Sequence, residues 1–127
     1  MSAPDLSEAR LAELAKDAVR TIVAPAAPSP VLLICEHAGN VVPAPWRNLG
    51  LAADFLDTHF AWDAGAAALT EALAAKLKAT AVLAAYSRLF LDINRFPGEW
   101  DCCRPDLAGI PVPANLDIHD RERAQRE

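Results

Sequence analysis

The sequence contains no apolar run of the ~18–20 residues that a membrane-spanning helix requires. It also lacks a basic field: 12 Lys and Arg stand against 17 Asp and Glu, a formal net charge of -5. A nucleic-acid binder collects phosphates with such a field, so that class is excluded. Residues Met1 to Glu8 carry acids where a secretory leader carries a basic segment, so no leader is expected. There is no GxGxxG, no phosphate-binding loop, no GxSxG elbow and no internal repeat. Cysteine is scarce. Cys35, Cys102 and Cys103 cannot all pair within one chain, a vicinal bridge is strained, and no zinc-finger spacing exists. Reduced thiols in a cytoplasm are the expectation.

What the chain does have is core-forming material. Its 127 residues are 53% hydrophobic and 23% charged, which suits one folded domain and not a disordered chain. Asp5 to Arg20 reads as an amphipathic helix, with Leu6, Leu11, Leu14 and Val19 near one face and Ser2 or Asp5 as its cap. Pro25, Pro28 and Pro30 then impose a stiff linker. Residues 1–29 thus read as a helix and Pro-rich linker outside the central sheet, and residues 30–127 as the domain proper.

Val31 to Cys35 is a short continuous apolar run, the pattern of a strand buried on both faces. Asp63 to Lys78 predicts a helix whose Ala66, Leu69, Leu73 and Leu77 recur at helical spacing. Ala81 to Tyr86 and Leu89 to Ile93 predict two more strands. Strand, helix, strand implies a parallel crossover and an α/β fold. Pro97 to Pro113 predicts a long loop, and Asp117 to Glu127 a charged helix with His119 in solvent.

Three segments carry groups able to do chemistry. Glu36-His37 ends the first strand before Gly39-Asn40, at the strand end where open α/β sheets bind ligands. A neutral imidazole there can ligate zinc, with a carboxylate as second ligand or ring orienter. The plainer alternative is a loop-edge histidine satisfied by backbone. Cys35 beside it reads as a small core hydrophobe, because adjacent strand residues face opposite ways. His59 and Asp63 are four apart and share a face on a helical turn, where both can reach one metal ion. Asp63 is equally suited to cap the following helix. In the third segment a strand would point Arg88, Phe90, Asp92 and Asn94 to one side. Asp92 then reads as the ion-pair partner of Arg88 or Arg95, leaving Asn94 and Arg95 to face a carboxylate ligand.

These segments occur in one order together with Pro43, Leu49-Gly50-Leu51, Tyr86-Ser87-Arg88, Ile110-Pro111 and Pro113-Ala114-Asn115. So ordered, residues 30–127 resemble the N-formylglutamate amidohydrolase family. The resemblance implies a zinc-dependent amidohydrolase with a fold similar to that of zinc carboxypeptidases, a mixed or parallel sheet flanked by helices. The implied reaction splits N-formyl-L-glutamate into glutamate and formate during histidine degradation. Asp92-Ile93-Asn94-Arg95 resembles the segment with which zinc carboxypeptidases hold a substrate carboxylate, which gives Arg88, Asn94 and Arg95 substrate-binding roles. His37 matches the first metal-binding histidine of that wider group. The glutamate that usually follows three residues later is Asn40 here, so the second ligand is sought among Asp63, His59 and Glu36, in that order for the two leading candidates. Glu36 is also the candidate carboxylate for proton transfer. One zinc ion and a small N-acyl amino acid are the implied cofactor and substrate.

Family members are longer, and the region that supplies a further metal-binding histidine and the catalytic glutamate has no match here. The expectation is therefore the N-terminal part of a domain, as a fragment or as a chain that a partner completes, prone to self-association through exposed edges. The rival function is a noncatalytic α/β module that binds a small carboxylate or a partner chain.

Overall fold

A computed structural model describes residues 4–25 and 29–127. The cap expected at Ser2 and the linker positions 26–28 lie outside the described residues. The first helix, α1, is Glu8–Asp17, shorter than expected, and is capped by Ser7, whose Oγ accepts from the Arg10 N–H at 3.3 Å. It ends early because Val19–Ile22 forms a strand, β1. The second strand, β2, is Leu32–Cys35, the second helix, α2, is Ala66–Leu77, and the third strand, β3, is Thr80–Ala84. Strand order is β1-β3-β2, with β2 parallel and β1 antiparallel to β3. The fold is thus α/β with a mixed sheet flanked by helices, and the expected parallel unit is β2-α2-β3. A two-stranded ribbon, β4 (Asp106–Leu107) with β5 (Ile110–Pro111), and a last helix, α3 (Asp120–Arg126), complete it.

Residues 1–29, expected to lie outside the central sheet, supply its edge strand β1 by pairing with β3, and three further expectations are overturned. First, β2 is covered on one face only: Leu32 and Ile34 are 57% and 62% exposed, while Cys35 is buried. Second, the leucines of α2 do not face the sheet. Leu69, Leu73 and Leu77 are exposed, and Ala66, Ala67 and Ala74 pack on Cys35, Ala81 and Leu83 instead. Small residues let the helix approach the sheet closely, and that approach turns the leucines outward. Third, Leu89 to Ile93 is not a strand. Ser87 and Asp92 take over backbone partners, Ser87 Oγ accepting from Leu89 N–H and Asp92 Oδ1 from Asn94 N–H. Such local side-chain bonds compete with a strand ladder. The shared-face pattern of Arg88, Phe90, Asp92 and Asn94 therefore does not exist.

The larger core joins Leu14 of α1 to Val42, Trp46, Leu49, Leu56, Leu89, Phe90 and Val112. The charged C-terminal helix enters this core. Arg126 and Glu122 are buried as a pair, the Trp46 Nε1–H donates to Glu122, and Arg126 donates to Asn115 Oδ1 and the Phe90 carbonyl. The three cysteines are free and buried, and burial pushes the Cys102 and Cys103 thiols up. Among the described residues no helix is long and apolar enough to cross a membrane.

Tyr86 ties α1 to the sheet by donating its hydroxyl proton to the Leu14 carbonyl at 2.7 Å. Burial, and secondarily the Asp17 carboxylate, raise its pKa above the ordinary 10.0. A raised value favours the neutral phenol in the fold. That contribution to stability is complete below the unfolded pKa and is lost as pH rises through the folded one. Urea unfolding at a series of pH values should show this alkaline loss in the native protein and a weaker one in Tyr86→Phe. Equal loss in both would contradict the assignment.

Candidate metal and substrate site

The strands β2 and β3 run parallel, so their carboxyl ends lie together, and three loop segments meet there. The chain after β2 runs beside the chain after β3: the Val41 N–H donates to the Ala85 carbonyl and the Ser87 N–H to the Val41 carbonyl. The approach is close enough that a Cβ on Gly39 would lie 2.1 Å from the Ala85 oxygen. Glycine is required at 39 for that contact, and not for turn chemistry. The third segment, residues 58–65, is joined by the Asp63 N–H donating to the His37 carbonyl at 3.0 Å, and by Ser87 Oγ donating to the Ala61 carbonyl.

His37 is held at both ring nitrogens. Its Nε2 is 2.7 Å from Asp92 Oδ1, and its Nδ1 is 3.2 Å from an Arg88 guanidinium nitrogen. A guanidinium only donates, so Nδ1 presents its lone pair and the ring proton sits on Nε2, toward Asp92. Asp92 is therefore not the partner of Arg88 or Arg95 that the sequence predicts. It is a buried carboxylate that fixes the tautomer and orientation of His37, the arrangement typical of metal-ligating histidines. Sequence reasoning missed this role because the two residues lie 55 positions apart. The available signal was a carboxylate among apolar residues, which demands a polar partner.

Asp63 Oδ2 lies 3.4 Å from His37 Nδ1, and its other oxygen lies 3.2 Å from Arg88. A lone pair and a carboxylate this close are compatible only when a cation joins them, and Arg88 supplies that charge. Two ligand atoms bound tetrahedrally to zinc, each about 2.0–2.1 Å from it, lie about 3.3–3.4 Å apart. The donor types and their separation therefore fit a divalent metal. Among the described residues, no group of three or more His, Cys, Asp or Glu side chains is placed to hold a metal ion. The chain thus brings together two side chains able to ligate, and catalytic zinc takes three from protein.

The other candidates are placed differently. Asp63 precedes α2 without capping it, since the cap position is Gly65 in a left-handed conformation. Residues 58–65 form turns, so His59 and Asp63 share no helical face. His59 reaches the site through its carbonyl, which accepts from Arg88 at 2.7 Å, and its ring packs on Phe60. Glu36, in the turn after β2, is half-buried and makes no hydrogen bond to a described side chain. Arg88 also donates to the Phe60 carbonyl, so four partners fix it beside His37. Arg95 is apart from Arg88: its guanidinium pairs with Asp101 at 2.8 Å, and it lines an open cleft of about 570 Å³ with Asn94, Phe96 and Glu99.

Comparison with known proteins shows the family and the fold. The family model for N-formylglutamate amidohydrolase matches residues 29–126. Among solved structures, the chain is similar to gene product Atu2144 from Agrobacterium tumefaciens, with 39% identity and a TM-score of 0.82. That match covers 90% of this chain and 45% of the Agrobacterium chain, so the chain spans less than half of that relative. No curated protein matches it. With residues 29–126 of its 127 inside the family model, well over half of its length, the chain belongs to the N-formylglutamate amidohydrolase family.

Proposed function

We propose that this chain serves metal-assisted hydrolysis of the formyl amide of N-formyl-L-glutamate, or of a related N-acyl amino acid, on a zinc-carboxypeptidase-like fold. The observation that carries the proposal is the pairing of His37 Nδ1 with Asp63 Oδ2 at 3.4 Å behind the Asp92-held ring. His37 and Asp63 would hold the metal, with His59 as the other candidate ligand. Zinc, when bound, supplies Lewis-acid polarisation of the scissile carbonyl.

The chain's own groups do the rest. Asp92 keeps the His37 proton on Nε2, so that Nδ1 keeps a lone pair, which accepts from Arg88 here and would be given to the metal. Glu36, half-buried beside His37 and free of hydrogen-bonded side-chain partners among the described residues, is the carboxylate proposed to take a proton from water and return it to the leaving amine. Arg88 sets a fixed positive charge at the site. Asn94 and Arg95, on the rim of the open cleft, would receive a substrate carboxylate through the planar guanidinium fork.

Arg95→Ala should then reduce kcat/KM about 10–100-fold, the worth of a lost charge-assisted hydrogen bond of roughly 1.5–3 kcal/mol, when this chain is assayed together with the rest of its domain. Unchanged kcat/KM would remove Arg95 from substrate binding. The acyl group is decided by a panel of formyl, acetyl and succinyl amino acids scored for acid release, with the formyl compound expected to be fastest. A second reading, a noncatalytic module for a small carboxylate or a partner chain, draws on the exposed face of β2. Carboxylate binding with no acid release from any member of the panel, in the completed domain, would favour it.

A further inference from the structure

The chain from Asp92 to Cys102 folds into a closed loop. Its ends meet where the Asp92 N–H donates to the Cys102 carbonyl at 2.7 Å. Tight turns fill it: the N–H groups of Arg95, Glu99 and Cys102 donate to the carbonyls of Asp92, Phe96 and Glu99. The Cys102 thiol donates to the Phe96 carbonyl as well. These turns bring Asp101 back to Arg95, six positions earlier, where Asp101 Oδ2 accepts from the Arg95 Nε–H at 2.8 Å. Among the described residues this is the one hydrogen bond of the Asp101 side chain. The loop starts at Asp92, which holds His37, so a contact that fixes Arg95 within the loop also fixes it relative to His37. Arg95 has little else to hold it. Its side chain is 40% exposed, its Nη1 donates to the carbonyl of Asn94 next to it, and its Nη2 has no partner among the described residues. A guanidinium can meet a carboxylate with two paired donors, Nε with Nη2 or Nη1 with Nη2. Asp101 occupies Nε, so the pair left for an incoming carboxylate is Nη2 with the second N–H of Nη1.

Resting on the reading of Arg95 as the receiver of a substrate carboxylate, we propose that Asp101 is its positioning residue. By tying down Nε, Asp101 turns the terminal nitrogens toward the cleft that Arg95 lines with Asn94, Phe96 and Glu99. Without Asp101 the remaining hold is the Asn94 carbonyl, which belongs to the adjacent residue and constrains the long side chain little. An unheld arginine gives up its rotamer freedom when it binds, whereas one already held has lost it on folding. Charge alone predicts the opposite. Asp101 offsets the Arg95 charge and Glu99 adds another carboxylate to the same cleft, so deleting Asp101 makes the cleft less negative and would tighten the binding of an anion. The sign of the effect therefore separates positioning from field.

The test is titration of the 127-residue chain with N-formyl-L-glutamate, read by NMR at the backbone amides of Asn94 and Phe96 with no activity assay. Asp101→Ala should weaken binding about tenfold, the scale of one well-oriented charge-assisted hydrogen bond, and should broaden the Arg95 Nε–H signal. Asp101→Asn keeps an acceptor for Nε–H without the charge and should recover most of the loss. In an Arg95→Ala background, Asp101→Ala should change nothing further. Three results would overturn the inference while leaving Arg95 its role: native or tighter binding in Asp101→Ala, a loss that Asp101→Asn does not recover, or the same loss in the Arg95→Ala background. A native chain that does not respond, or Arg95→Ala binding as tightly as native, would instead remove Arg95 from carboxylate binding, and the role of Asp101 would fall with it.

Discussion

Asp92→Asn should weaken zinc binding about 10–100-fold, the usual cost of losing the outer partner of a ligating histidine. The cause is specific. In the native protein the His37 ring proton points to a carboxylate 2.7 Å away and leaves a lone pair on Nδ1, where Arg88 donates. An asparagine can turn its NH2 toward Nε2, which draws the ring proton to Nδ1 and removes the lone pair from the side facing Asp63. The Asn94 N–H, which also bonds Asp92 Oδ1, loses its charged acceptor, so the turn carrying Asn94 and Arg95 loosens too. Calorimetric titration with zinc measures the effect, and Asp92→Glu, which keeps the charge, should recover part of it. A binding constant within twofold of the native value would mean that Asp92 only fills a buried position.

The largest effect on stability is expected at the other end of the core. Arg126→Met should cost roughly 3–5 kcal/mol, because Glu122 is left charged and buried with only the Trp46 Nε1–H as partner. Arg126 also carries bonds to Asn115 and the Phe90 carbonyl and lies over the Phe90 ring. Replacing both members with apolar residues, Arg126→Met together with Glu122→Leu, should return much of the loss, since the charge that had to be neutralised is gone. Urea unfolding of the native and the two altered proteins compares these directly. A loss below about 1 kcal/mol in Arg126→Met would show that the helix end carries little of the core's stability, since single changes that break a buried pair cost several times that.

Which parts of the fold can be read from the sequence follows from how far apart the deciding contacts lie. The β2-α2-β3 unit is legible because each element is a local apolar pattern bounded by turn residues. The strand β1 is not, because Val19-Arg20-Thr21-Ile22 follows α1 without a break and becomes a strand only by pairing with β3. The leucines of α2 show the limit of periodicity. Spacing assigns them to one face but not to the buried one, and alanine against the sheet wins by closer approach. The tail is the opposite case. A run as charged as Asp120 to Glu127 predicts a solvated helix, yet Glu122 and Arg126, four apart, neutralise each other and enter the core.

The candidate site divides in the same way. The positions of His37 at a strand end and of Asp63 nearby follow from local spacing, and the structure brings the two together. The role of Asp92, the partners of Arg88 and the required close approach at Gly39 arise from long-range contacts that no local pattern contains, whereas Arg95 is held by Asp101, six positions away.

The central claim is that His37 and Asp63 form a metal-binding pair, and zinc content reports on it most directly. Elemental analysis of the purified chain, alone and joined to the remainder of its domain, should give near one zinc per chain in the completed domain, falling to trace levels in both His37→Ala and Asp63→Ala. Zinc retained at full stoichiometry in both variants, or absent from the completed native domain, would contradict the account.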